Sequence, residues 1–393
     1  MQNERWLLPE GIDELLPDQA RRLEALRRRL LDLHAGWGYE LVITPFIEYL
    51  DSLLTGTGKD LELQTFKLTD QVSGRTLGVR ADITPQAARI DAHQLRCDAP
   101  TRLSYIGSVL RTRPDGLSGS RSPLQIGAEL YGHAGVASDV EVLSLMMATL
   151  RAAGIGQIYL DLGHVGVYRG LARQAGLDAD QEAALFAALQ RKAEPEVAAL
   201  VRDFGVDGRV ADMLVALAGL NGGDDVLPRA RQQLQHATAE VLAAVDYVSE
   251  VGEALRRDLP DVPLHFDLAE LRGYGFHSGV VFAAFVPGEG QEVARGGRYD
   301  HIGEVFGRAR PATGFSADLK TLLRVGDYAA PPLPGRALAP WRQDARLDAR
   351  IAALRDSGWT VVRELPDQRG DARELGCTHR LELANGEWEP LPL

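Results

Sequence analysis

The stretch Val109–Gly132, VLRTRPDGLSGSRSPLQIGAELYG, constrains this chain more than any other. Gly, Ser, Pro and Asp crowd residues 114–120 and force the backbone to reverse. On either side, Ser104–Arg111 and Leu124–Gly132 are short apolar runs that read as strands. The segment is therefore a hairpin, with Arg111 and Arg121 flanking its bend. Gln125 and Glu129 lie four residues apart, so on a strand they face the same way. A guanidinium forks onto a carboxylate or phosphate. A carboxylate beside an amide can hold an ammonium or an imidazole. The pattern fits a pocket of amino-acid size, and equally a solvated polar turn; the rest of the chain decides between them.

Composition removes several classes. The chain has 393 residues, 45% hydrophobic and 25% charged, an ordinary globular balance with room for two or three domains. No apolar run approaches the roughly 18–20 residues that span a bilayer. The first residues lack a basic segment followed by an apolar one, so no signal peptide is expected. Cys97 and Cys377 stand alone, without a CxxC pair, which argues against zinc and predicts one buried thiol in each of two domains. A cytoplasmic protein is expected, with no membrane partner. Net charge is −12 and the isoelectric point about 5.3, which opposes a nucleic-acid partner. Gly56–Asp60 lacks the spacing of a phosphate loop, and neither HExxH nor GxSxG occurs.

Periodicity outlines the elements. Leu23, Leu26, Leu30 and Leu33 recur at helical spacing, with Asp18 as the expected N-cap and Gly36 as the stop. Tyr39–Thr44 reads as a strand ended by Pro45. Gln64–Thr69 and Thr76–Arg80 flank a turn, and Gln86–Gln94 reads as a helix. Asp82 and Thr84 sit just before that helix, where side-chain oxygens cap it or face a cation. Asp139–Ala153 reads as an amphipathic helix, and Ile158–Leu162 as a strand. From Gly170 to Ser249 helical spacing dominates. Strands resume at Pro263–Leu268 and Ser278–Val286, and the Pro- and Gly-rich Asp327–Pro340 reads as a linker. A helix at Ala345–Ser357 and strands at Trp359–Glu364 and Thr378–Trp388 complete a small αβ tail.

The Val109–Gly132 hairpin resembles motif 2 of class II aminoacyl-tRNA synthetases, most closely histidyl-tRNA synthetase. GWGYELVITPFIEY, residues 36–49, resembles motif 1, which builds the dimer interface in that family. A helix simply packed on a sheet fits the same pattern. Leu271–Phe282, LRGYGFHSGVVF, resembles the family's histidine-specific RGLDYYTGTVFE-type motif. Gly296–Asp300 matches its GGRYD motif. The resemblance spans about residues 1–325 in five ordered segments. It implies that Asp82, Thr84 and Gln125 hold the amino group of histidine, Arg272 its carboxylate, and Glu129 and Tyr299 its imidazole. The resemblance also counts Arg111 with the histidine-binding residues and Arg121 with an additional part of the pocket; both would serve ATP phosphates in an active synthetase, and here they bind an anion or hold structure. His277 falls where the family has a tyrosine, and Gly275 where it has an aspartate. His277 therefore reads as an additional pocket residue or a structural histidine.

The departures carry as much weight. Motif 3 ends on an arginine that stacks on adenine; the matching stretch Gly314–Leu322 has Thr321 there, and Asp318 in place of a small glycine. A threonine supplies neither stacking nor positive charge. The neighbouring Lys320 is a point charge, not a planar fork. The acidic residue expected after the first arginine of motif 2 has no match in Arg111–Pro114. The tail is about half the length of an anticodon-binding domain. From Arg336 onward it has nine arginines and no lysine against ten acidic residues, so it presents no excess of positive charge.

The expected fold is α+β, a class II synthetase-like antiparallel sheet flanked by helices. Residues 1–169 and 250–326 form its core, 170–249 a helical insertion, and 327–393 a linker and small truncated C-terminal αβ domain. The chain resembles the histidyl-tRNA synthetase paralogues that are regulatory subunits of short-form ATP phosphoribosyltransferase. That resemblance implies no catalysis and no cofactor. It also implies a homodimer within a hetero-oligomer, a separate catalytic chain as partner, and histidine as effector in the first step of histidine biosynthesis. The alternatives are an active histidyl-tRNA synthetase, or an amino-acid sensor with another partner.

Overall fold

The computed structural model describes residues 6–56, 59–114, 119–270, 273–332 and 334–393. The chain divides into two compact units, Met1–Ala329 and Ala330–Leu393.

The first unit opens with α1 (Pro17–Gly36), β1 (Glu40–Leu41), β2 (Ile47–Tyr49), α2 (Leu50–Leu54) and α3 (Lys59–Gln64). Then come β3 (Phe66–Thr69), β4 (Thr76–Val79), and α4 (Thr84–Arg89), which continues into a π-helical turn at Ile90–Leu95. The hairpin β5 (Thr101–Ser108) and β6 (Leu124–Tyr131) is followed by α5 (Val136–Ala152) and β7 (Tyr159–His164). A helical run follows: α6 (Val165–Ala175), α7 (Ala179–Gln190), α8 (Glu194–Asp203) and α9 (Gly208–Leu217). After β8 (Asn221–Gly222) it resumes with α10 (Val226–Gln233) and α11 (Ala239–Asp258). The unit closes with β9 (Leu264–Asp267), β10 (Val280–Phe285), β11 (Ala294–Arg298), β12 (Ala312–Asp318) and α12 (Leu319–Val325).

Nine strands form the central sheet in the order β1-β5-β6-β12-β11-β10-β7-β9-β8. All neighbours run antiparallel except β1 with β5 and β7 with β9. This is the mixed α and β architecture expected from the sequence. A small antiparallel sheet, β2-β4-β3, stands beside it.

Several sequence expectations are corrected. Pro17 opens α1 and Leu16 precedes it, so Asp18 lies in the first turn and does not cap. A proline at the first position has its φ pre-set and no N–H to satisfy. The strand at 39–44 shrinks to Glu40–Leu41 at the sheet edge. The Arg80 side chain draws the chain away there, donating Nη1 to Thr44 O at 2.8 Å and Nε to Ser108 O at 2.8 Å. α5 is not two-faced. Ser138, Asp139 and Thr149 are buried along with its apolar residues, because it lies between the sheet and α1 and α11. β11 and β12 lie outside the strands expected from the sequence: glycines dominate one, and the other overlaps the segment that resembles motif 3. Cys377 is buried, but Cys97 is exposed just past the π-helical turn.

The second unit holds β13 (Arg336–Ala339), α13 (Ala345–Asp356), β14 (Thr360–Arg363), β15 (His379–Ala384) and β16 (Glu387–Pro392). β13 lies inside the stretch read as linker. It is an interior strand, parallel to both β14 and β15. The unit has its own core, including Leu347, Ile351, Leu354, Val361, Leu381 and Trp388. Among the described residues no helix is long and apolar enough to cross a membrane.

Candidate functional site

Strand register builds the site's floor. Glu129 on β6 pairs with Gly314 on β12, and Gly127 with Tyr105 on β5. A Cβ at Gly314 would overlap the Glu129 Oε2 atom, and one at Gly127 the Tyr105 hydroxyl, so both polar tips exist because glycine leaves them room. Tyr105 donates to Glu129 Oε1 at 2.9 Å, Tyr299 donates to Oε2, and the Thr84 and Tyr105 hydroxyls are 2.9 Å apart. Glu129 is 1% exposed. Burial pushes its carboxyl up to about 8, against the pull of the Tyr299 and Tyr105 hydrogen bonds and with the Asp82 charge adding to the rise.

The loop before α4 forms the other side. Asp82 Oδ1 accepts from the Thr84 backbone at 2.9 Å and from Gln125 Nε2 at 2.8 Å. Gln125 Oε1 in turn accepts the Ile83 backbone N–H at 2.9 Å. The Gln/Glu pair read from β6 thus shares one face, with Gln125 locking the loop and Glu129 forming the floor.

Above lies a cavity of about 780 Å³, inside the range of small-ligand pockets. Asp82, Thr84, Glu129, Tyr299 and His277 all line it. Phe276 stacks on Tyr299 with centroids 4.9 Å apart, and α7 closes the far side with Glu182 and Phe186. Tyr274 joins that wall, its hydroxyl on Glu182 and its ring 5.4 Å from Phe186. The described lining includes the carboxylates Asp82, Glu129, Glu182 and Glu270, facing Arg295 and His277.

Arg111 and Arg121 are not among the described lining residues. Arg111 reaches Ala81 O at 3.4 Å. Arg121 donates to Arg111 O and Glu10 O, each at 3.1 Å, which ties the hairpin bend to the segment before α1. Arg272 lies outside the described residues, as do residues 115–118 of the bend.

The motif 3 positions close on themselves. Asp318 caps α12, accepting from the Lys320 and Thr321 backbones and from Thr321 Oγ1 at 2.8 Å. It also takes the Leu124 N–H at 2.9 Å. Lys320 turns outward to Asp13 at 2.9 Å.

Sequence reasoning missed two groups. Tyr105 bridges Thr84 and Glu129; its signal was a strand tyrosine placed across from a glycine. Arg298, the arginine of GGRYD, is 5% exposed. It forks onto Asp139 at 2.9 and 3.2 Å and also reaches Ser138 and Asp300. The Tyr247 hydroxyl of α11 donates to the same Asp139. No local pattern joins positions so far apart.

The histidyl-tRNA synthetase family model matches residues 11–322, and that of the ATP phosphoribosyltransferase subunit HisZ C-terminal domain matches residues 334–390. An ATP phosphoribosyltransferase regulatory subunit of Alkalilimnicola ehrlichii is 60% identical over 391 residues, covering 99% of this chain and 98% of the relative. One from Thioalkalivibrio sulfidiphilus is 58% identical, covering 95% and 94%. A solved Bacillus halodurans structure, described as an ATP phosphoribosyltransferase regulatory subunit/histidyl-tRNA synthetase, superposes with a TM-score of 0.82. It is 26% identical and covers 95% of this chain and 96% of its own. With relatives of that description 60% and 58% identical over nearly their whole length, the chain belongs to the family of ATP phosphoribosyltransferase regulatory subunits.

Proposed function

We propose that this chain binds free histidine in the cavity over Glu129 and uses it to set the activity of a separate short catalytic subunit of ATP phosphoribosyltransferase. It carries out no group transfer itself. One observation carries the reading. Asp82, Thr84, Glu129 and Tyr299 converge on one cavity, while Asp318 and Thr321, at the positions that resemble motif 3, bond to each other. Asp82 and Thr84, with Gln125 holding Asp82 from behind, are assigned to the ammonium, Arg272 to the carboxylate, and Glu129 and Tyr299 to the ring. Regulation then follows from linkage. Histidine shifts the complex only by binding two of its states with different affinity, and the catalytic subunit must shift histidine affinity equally in return.

The segment after α1 supports a two-fold homodimer as the platform. Leu41, Ile43, Phe46, Ile47 and Tyr49 are exposed together, and Ile43 is 87% exposed. Large apolar patches of this kind mark association surfaces, and closed two-fold symmetry is the commonest solution.

The test is reconstitution with a short catalytic subunit. Phosphoribosyl transfer to ATP should require this chain and fall when histidine is added. Alone, the chain should show no histidine-dependent pyrophosphate exchange. Exchange clearly above a blank, or full transfer without this chain, would overturn the reading.

A further inference from the structure

Glu129 has a proton problem that the rest of the cavity does not solve. Its carboxyl is buried, and both oxygens already accept a tyrosine hydroxyl. The groups facing it come from every packed element. Tyr105 comes from β5, Tyr131 from β6 itself, Tyr299 from the end of β11, and Asp82 and Thr84 from the edge of α4. Tyr39 after α1 feels the same charge, and His277 lines the cavity above. Among the described residues, the ionisable groups that act most on Glu129 are tyrosines, which stay neutral, and an aspartate, whose charge repels; Arg295, Glu182 and Glu270 line the same cavity. A carboxylate so placed lowers its energy by taking a proton rather than by pairing.

We propose that Glu129 is held as the neutral acid, and that its proton selects a ligand ring presenting an unprotonated nitrogen. This deepens the proposed function and rests on its histidine pocket. Each carboxyl oxygen has two lone-pair positions, and a tyrosine fills one on each. The acid proton occupies a third, and the Gly314 side is closed to a partner by tight packing. The proton's own position is then the one on the cavity side, beside the Thr84 hydroxyl that also bonds Glu129, and a ligand there must offer it an acceptor. A neutral imidazole nitrogen is one; a lysine ammonium, an arginine guanidinium and an imidazolium are not. Whether the proton stays on the carboxyl or crosses to the ring nitrogen, the complex holds one proton between the two groups, so nothing else must be supplied.

A proton linkage follows. Between the ring's unperturbed value, roughly 6.5, and that of the buried carboxyl, about 8, free protein and free ligand together already carry the one proton required. Binding there exchanges none. Above that window Glu129 is ionised, the ring is neutral, and binding must take one up. Below it both groups are protonated and binding must release one. Affinity therefore peaks inside the window and falls towards about tenfold per pH unit on either side.

Calorimetry of histidine binding to the full chain tests this, from pH 5.5 to 9.5 in two buffers of different ionisation enthalpy, for wild type and Glu129→Gln. The ligand's α-amino group titrates in both proteins, so the difference isolates Glu129. At pH 9 the wild type should take up close to one proton more than the variant, whose amide donates at every pH. An infrared difference spectrum of wild type against Glu129→Gln, without ligand, should show a protonated-carboxyl band at pH 7 that fades above pH 8. Equal proton uptake in the two proteins at pH 9 overturns the proposal, as does an ionised carboxylate at pH 7. If histidine binds at no pH while the carboxyl band still titrates, the pocket assignment fails and the selection fails with it.

Discussion

Glu129 shows how much a site residue depends on what sits across the sheet. Its oxygen occupies the space a side chain at position 314 would need, so Gly314→Ala must push the carboxyl group off its tyrosine partners. Histidine affinity should then drop about ten- to hundredfold, the loss expected when the ring loses the group with which it shares a proton, as it should for Glu129→Ala. Calorimetry reads this directly, and unchanged affinity in both variants would mean that histidine binds elsewhere. The buried Arg298–Asp139 pair makes a contrasting prediction. Its side chains are 6% and 0% exposed. Removing one partner, as in Arg298→Met, leaves a buried charge or a forced protonation and should cost roughly 3–5 kcal/mol. A chemical denaturation midpoint within error of wild type would refute that.

The elements around β2 join the cavity to the exposed face. α4 begins at Thr84 in the pocket, and its Gln86 and Arg89 donate to Glu48 of β2 at 2.7 and 2.6 Å. Arg80 ties the end of β4 to Thr44 and to the end of β5. The residues between, Ile43 to Tyr49, are held from behind while their apolar side chains point outward. A double change Ile43→Asp and Ile47→Asp should therefore leave the fold intact and break the dimer. Light scattering at micromolar concentration should give a dimer for wild type and a monomer for the variant; the same mass for both would remove this face from the assembly. The helix–strand–proline pattern was legible in the sequence. The shortening of β1 was not, because it depends on an arginine arriving from 36 residues away.

Across the whole molecule, buried ionisable groups set a pH profile of stability. Burial pushes His34 and His164 down to about 4. In the unfolded chain they protonate near 6.5, so between 6.5 and 4 the unfolded state binds more protons and stability falls as pH drops. Glu129 acts oppositely. Raised to about 8 in the fold, it binds a proton that the unfolded chain has released above a glutamate's ordinary value of 4.5, so its contribution is full below that value and is lost as pH rises through 8. The thermal midpoint should peak near pH 6.5. Glu129→Gln should flatten the alkaline limb and leave the acid limb in place; a midpoint equally steep above pH 7 in both proteins would contradict this assignment.

Local chemistry carries a great deal of this protein. The hairpin of residues 104–132, the helix after Asp82, the helical run after Gly170 and the αβ tail follow from turn residues and periodicity, which act over a few positions. Four residues of the cavity lining, Asp82, Thr84, Glu129 and Tyr299, are legible too, because they lie in short ordered motifs. What depended on the assembled sheet is everything set by register between distant strands. Gly314 makes room for Glu129, Tyr105 faces Gly127, and Arg298 finds Asp139 from 159 residues away. Asp318 turns from an apparent charge in a nucleotide site into a helix cap. Backbone hydrogen bonding across the sheet brings these partners together, and no pattern within one segment of chain encodes who will stand opposite whom.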